Sequence, residues 1–175
     1  YVTEDQAISG ALIWSLRFHN RDGGFYWHSE PMGGGLYKAY HWPGFHSGTS
    51  YDETDLLETM RHYGFAIRGL DPAPLQKPSS PELLPATDAG SIRWRGSAGA
   101  KQYFVERAVK ENGPWSRAGD YISDAAQAHG PLFNDRTAEE GEVYYYRVKA
   151  WNRAGFSEPS NVVGPVSVTY RVLVD

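Results

Sequence analysis

The chain has 175 residues, with 17 basic and 21 acidic side chains and a net charge of −4. That length holds one ordinary domain or two small ones, and the charge balance supplies no basic field to attract nucleic acid or anionic lipid. Cysteine is absent, which excludes disulfide frameworks, thiolate zinc sites and thiol nucleophiles together and leaves the compartment open.

No targeting segment or long apolar span is visible. The chain opens on Tyr1 in what reads as an element already under way, so a fragment of a larger protein is expected. An aromatic content of 14% with 19 glycines suits sheets, turns and ring-lined grooves better than a helical bundle or a disordered tail.

Residues 1–70 carry five of the six histidines and eight acidic against five basic residues. Ala11 to Leu16 is a short continuous apolar run, the pattern of a strand covered on both faces in a parallel sheet. "HNRDGG", residues 19–24, reads as a turn in which Asn20 and Asp22 satisfy backbone groups and Gly23 and Gly24 supply unusual φ. A long aromatic loop follows. "SYDETDLLETMRHYGFAIRGL" predicts a helix, with Ser50 and Glu53 at capping-box spacing and Leu56, Met60, Tyr63 and Ile67 on one face. Strand, loop and helix make half of an α/β repeat.

Prolines 72, 74, 78 and 81 mark residues 71–81 as an extended, semi-rigid spacer. Beyond it the period changes. "SIRWRGS", "KQYFVERAV", "GPWSRAG", "EVYYYRVKAWN" and "SNVVGPVSV" alternate apolar and polar residues between turn signals, as strands of an all-β sandwich do. Tyr144, Tyr146, Val148 and Ala150 share one face by their period of two and should point into the core, and Gly155 permits a positive φ in the connecting turn. An exposed tyrosine stripe is the competing arrangement. The ending "TYRVLVD", residues 169–175, reads as the start of a further linker or domain.

The run "YYYRVKAWNRAGFSEPSN" resembles the sixth strand, following turn and final strand of a fibronectin type III domain. Trp94 and "YFVER" at residues 103–107 fall where such a domain has its second-strand tryptophan and third strand. The resemblance covers about residues 82–168 and makes Tyr144 the candidate tyrosine corner, its hydroxyl bonded to nearby backbone. No Arg-Gly-Asp lies in the turn between the last strands, so integrin-type adhesion has no support.

"SGALIWSLRFHNRDGGFYWHSEP", with "GLYKAYHWPGF" and the helix after it, resembles the last strand–loop–helix unit of a glycoside hydrolase family five (β/α)8 barrel, closest to its endo-β-mannanases. The fold class implied is thus mixed: a partial barrel over residues 1–70 and an immunoglobulin-like sandwich over residues 82–168. In such a barrel the eighth strand ends at the catalytic mouth, where an apolar run must give way to polar groups. The resemblance implies a secreted enzyme that acts on β-mannan or a related β-glycan, with the remainder of the barrel as its other partner and no cofactor.

Under that resemblance Trp14 is the floor beneath the sugar next to the scissile bond; on its residue type alone it would be a core tryptophan. Arg17, His19 and Asp22 would read sugar hydroxyls, a role that the turn reading of the same stretch does not exclude. A metal site on His19 and Asp22 lacks a third ligand at recognisable spacing. Tyr26, Trp27, His28, Tyr37, Tyr40, His41, Trp42 and Phe45 could line outer subsites or glue the loop to its barrel, with one of Trp27 and Trp42 touching glycan. Retaining glycosidases need two carboxyl groups, and by the resemblance both precede Tyr1. Asp22 and Glu30 share no motif with that pair, so the chain by itself is expected to be catalytically silent. A second class of function is a non-catalytic interaction or spacer module whose working unit is the fibronectin-like domain.

Overall fold

A computed structural model of the chain describes residues 12, 16–17, 19–29, 35–44, 53–125 and 129–168. The first elements are β1 (Trp27–Ser29), β2 (Leu36–Lys38) and α1 (Glu53–Ala66). β1 and β2 pair antiparallel, with Trp27 opposite Lys38 and Ser29 opposite Leu36. This hairpin lies where the sequence reading has only an aromatic loop. The apolar run before it falls largely outside the described residues. Leu16 makes a parallel bridge to Tyr40, but Leu12 is 99% and Leu16 57% exposed, where cover on both faces was expected.

The helix forms, with a different inner face. Glu53 and Leu57 are its buried residues, Leu56, Met60 and Tyr63 are half-buried, and Ile67, past the last helical residue, is exposed. Glu53 turns inward because its carboxylate meets the Lys38 ammonium and accepts the His41 backbone N–H at 3.2 Å. It serves as a buried ion-pair partner; Ser50, the other half of the expected capping box, lies outside the described residues.

The remaining strands build a sandwich. β3 (Glu82–Leu83) pairs with β4 (Trp94–Arg95), and an Ile92–Phe133 bridge widens that layer. The facing antiparallel sheet has the order β6 (Ser116–Ile122), β5 (Gln102–Ala108), β7 (Val143–Asn152), β8 (Gly155–Phe156), and β9 (Val163–Ser167) also pairs with β7. Alternation along β7 is complete: Tyr144, Tyr146, Val148, Ala150 and Asn152 are buried and the residues between them are not. The inward set packs with Trp94, Ile92, Leu83, Tyr103, Val105 and Val166 in one core. Each such valine or isoleucine, fully buried, contributes about 1.5–3 kcal/mol. On the outer face Arg147 and Lys149 both reach Glu106, at 2.6 and 3.1 Å. Burial pushes the Glu106 carboxyl up, and these two cations more than offset it, leaving it below its ordinary range.

The serines of "GFSEPSN" have a defined task. Where β8 ends, Ser157 Oγ accepts the Ala150 N–H at 3.0 Å and Ser160 Oγ accepts the Val148 N–H at 2.9 Å. Side chains thus satisfy strand donors that have lost their neighbour. Gly155 sits at φ +127°, as its turn requires. Asn161 clips the final strand to β3 through both its amide atoms, at 2.9 Å each.

Tyr144 Oη accepts the Glu139 N–H at 3.3 Å, with the ring in the core. Tyr144→Phe removes that acceptor at almost constant volume, so a loss of about 1 kcal/mol is expected in urea unfolding. No measurable change would mean that the corner contributes packing alone.

Residues 71–81 contain no regular element, as their prolines dictate. They do not hang free, however. Pro78 and Pro81 are buried, and Asn152 Nδ2 donates to Gln76 O at 2.7 Å and to Gly99 O at 2.9 Å. The spacer is laid along the sandwich.

Candidate functional site: the junction of the N-terminal turn with the sandwich

The turn at residues 20–24 is built by its own polar groups. Asp22 N–H donates to Asn20 Oδ1 at 3.0 Å, Gly23 N–H to Asn20 O at 3.2 Å, and Asn20 N–H to Gly24 O at 3.0 Å. Gly23 and Gly24 hold φ of +90° and +78°. Their bare backbones also allow close approach to the sandwich, since a Cβ on Gly23 would lie 3.1 Å from both Leu84 Cδ1 and Trp94 O. Gly24 N–H donates to Trp94 O at 3.0 Å, Phe25 N–H to Asp124 O at 2.9 Å, and Arg95 Nε to Arg21 O at 2.6 Å.

Side chains fill the space under this backbone contact. His19, Phe25 and His41 stack edge to face, with centroids 5.4 Å apart for His19 and Phe25, 4.7 Å for His19 and His41 and 5.1 Å for Phe25 and His41. Phe25 and His41 are buried. His19 Nε2 lies 2.9 Å from Oδ2 of the fully buried Asp124 and 3.3 Å from Tyr103 Oη, which accepts the Ser97 N–H at 3.1 Å. The 2.9 Å approach of His19 Nε2 to Asp124 Oδ2 lacks hydrogen-bonding geometry. Burial, followed by the Asp124 carboxylate, pushes the Tyr103 phenol well above its ordinary value. Burial, with the cationic forms of His19 and Lys38 nearby, lowers His41 to about 3.

The six sequence-predicted sugar contacts do not meet in one cleft. Trp14 lies outside the described residues. Arg17 is exposed, its guanidinium 5.2 Å from the Tyr26 ring centroid. His19 faces the sandwich, where Asp124 and Tyr103 occupy its Nε2. Asp22 is exposed in the turn. Trp27 is half-buried on β1, and its buried Nε1 has no partner among the described residues. Trp42 packs near α1, with the Arg61 guanidinium 5.1 Å from its ring centroid. Beside Trp42 a hollow of about 350 Å³ is lined by Glu58, Arg61, His62, Tyr63 and Arg153, in which Arg153 bridges to Glu58 at 2.7 Å. Among the described residues no cluster of three or more His, Asp or Glu could hold a metal ion.

The residues that make the junction from the sandwich side are Asp124, Tyr103 and Gly96. A Cβ on Gly96 would overlap Asp124 Oδ2, His19 Cδ2 and Tyr103 Oη together. Sequence reasoning did not single them out. "RWRGS" carries a glycine directly after a strand, a hint of close backbone approach, but nothing in it says what approaches.

No family model matches the chain. Human Myomesin-2 is 33% identical over 64 residues, 37% of this chain, and the chain spans 4% of that protein's length. Titin kinase with its flanking domains is 20% identical at a TM-score of 0.34, over 53% of this chain and 17% of that one. A solution structure of a fourth FNIII domain of human origin is 22% identical at a TM-score of 0.31, over 59% and 88%. The fold itself stands on the strand order, the tyrosine corner and the Trp94-centred core. Together these make strands β3–β9 a fibronectin type III-like β-sandwich.

Proposed function

We propose that this chain works as a non-catalytic module, a fibronectin type III-like sandwich that braces the polypeptide segment ahead of it. The observation that carries this reading is the backbone docking of the 20–25 turn onto Trp94 and Asp124. A sandwich acting only as a spacer has no need to commit the Trp94 and Asp124 carbonyls and a buried carboxylate to a neighbouring segment.

A narrower reading rests on the resemblance of residues 1–70 to the final unit of a family five barrel. In that reading the braced segment belongs to the mouth of a secreted retaining β-glycanase, and the catalytic carboxylates come from elsewhere in the polypeptide. Arg17, Trp27 and Trp42 are its surface candidates for β-linked sugar, and the hollow beside Trp42 supports a role for that ring. Trp14 is its platform residue, and His19 acts by fixing the loop.

Incubation of the 175-residue chain with mannan, glucomannan or cellulose should release no reducing sugar above a buffer blank. Release that disappears on replacing Asp22 or Glu30 would overturn the non-catalytic reading. Limited proteolysis tests the bracing. First cuts are expected ahead of Gln76, leaving a resistant sandwich, and Asp124→Ala should speed those cuts several-fold without hastening digestion of the sandwich. Equal cutting of both proteins would show that the docked turn restrains nothing.

A further inference from the structure

The hollow beside Trp42, about 350 Å³ in volume, has walls from three parts of the chain: α1, Pro72 of the spacer, and Arg153 of the turn between β7 and β8. That volume lies within the usual range for small-molecule sites. Arg61 enters it from α1 with its guanidinium held on three sides. Nη2 donates to the Ala73 carbonyl of the spacer, and the Trp42 and Phe65 ring centroids lie 5.1 and 5.3 Å from the central carbon. Among the described residues no carboxylate pairs with it. A planar fork fixed in this way gives up little rotational freedom when it takes a ligand, and its shape matches the two oxygens of a carboxylate.

The other charges on the wall are Glu58 and Arg153, which bridge to each other at 2.7 Å. Arg61 is thereby left as the uncompensated charge of the hollow, in a chain whose net charge is −4. Tyr63 adds ring surface beside it.

We propose that this hollow binds a sugar unit carrying a carboxylate, a uronate within a glycan or branching from it, with the carboxylate on Arg61 and the sugar ring beside Trp42 and Tyr63. The glycan part rests on the β-glycan reading given above, and the carboxylate part on the fixed, unmatched guanidinium. The Arg153–Glu58 bridge tunes the site. Glu58 opposes an incoming anion and also occupies Arg153, so removing its charge lifts a repulsion and releases a second guanidinium. Because the walls belong to α1, the spacer and the sandwich, an occupant ties these three together.

The test is a titration of the full chain with a glucuronate-containing β-linked disaccharide, followed by calorimetry and by the NMR signals of the Trp42 indole N–H and the Arg61 Nε–H. The same disaccharide with glucose in place of glucuronate, and inorganic phosphate, are titrated beside it. The uronate should bind about tenfold more tightly than either, shift both signals, and lose affinity as salt is added. Arg61→Gln should weaken that binding by about tenfold or more, the worth of a charge-assisted hydrogen bond. Glu58→Gln should tighten it several-fold, a gain that no structural role of Glu58 produces, and this variant decides the matter if Arg61→Gln loosens the helix. Equal affinity for the two disaccharides would overturn the proposal and leave the β-glycan reading standing. Phosphate binding as tight as that of the uronate would overturn it as well, as would unchanged or weaker uronate binding in Glu58→Gln. Binding of neither disaccharide would overturn it and also remove the hollow from the β-glycan reading.

Discussion

Asp135→Ala is expected to lower the stability of the sandwich by about 3–5 kcal/mol, the range for breaking a buried charge pair from one side. The Asp135 side chain is fully buried. It accepts Arg107 Nη1 and Tyr146 Oη at 2.8 Å each, the Thr137 N–H at 3.0 Å and Thr137 Oγ1 at 2.7 Å. Its removal strands a guanidinium and a phenol in a space that water enters poorly, and it unties the turn that leads into β7. Burial and this carboxylate already push the Tyr146 phenol far above its ordinary value, so the hydroxyl stays a donor throughout the accessible pH range. Asp135→Asn keeps one acceptor and should cost less. For a domain of this size the alanine variant should melt on the order of 15 °C lower or more, as read by circular dichroism. A fall of only a few degrees would show that solvent replaces the lost acceptor.

Gly96→Ala should act on a different part of the molecule. The new methyl group would overlap the Asp124 carboxylate, the His19 ring and the Tyr103 hydroxyl, and overpacking of this kind costs about 1–3 kcal/mol. Tyr103 and Asp124 are fixed in the sandwich, whereas His19 arrives on a separate segment, so His19 is the group expected to yield. The turn should undock, with faster proteolysis ahead of Gln76 and lost protection at Gly24 and Phe25, while the sandwich keeps its cooperative transition. Gly64→Ala is the contrast. That glycine is exposed on α1 with nothing within 4 Å of an added Cβ, and replacing it should stabilise by up to about 1 kcal/mol through helix propensity. Loss of the whole sandwich in Gly96→Ala would mean that Tyr103 moved first.

How much of this was legible in the sequence depended on the range of the interaction. The sandwich was readable because β7 repeats its pattern over ten residues, and because its turn residues act on neighbours close in the chain, as Asn152 does on Ala154 at 2.7 Å. The 20–24 turn was readable for the same reason. The β1–β2 hairpin was not, since its three-residue strands are too short for alternation to register. The inner face of α1 was misjudged because apolar spacing ranked Leu56 and Ile67 above Glu53, whereas the Lys38 ammonium and the His41 backbone amide, distant in the sequence, draw that glutamate inward. The junction was the least visible. His19 and Asp124 lie about 100 residues apart in the chain, and no local pattern in "SDAA" distinguishes a buried carboxylate from a turn aspartate.

The pinned spacer carries a final consequence. Because Asn152 holds the Gln76 carbonyl against the sandwich, and Arg61 of α1 donates to the Ala73 carbonyl, the tether between α1 and its anchor is no longer than the stretch from Ala66 to Gln76. A tether so short sets an effective concentration in the millimolar range for the two halves of the junction. Contacts that would bind only weakly between separate molecules are thereby kept saturated within one chain. Residues 1–70 and 82–168 supplied as two polypeptides should accordingly associate poorly with each other, even though every contact they make in the intact chain is still available to them.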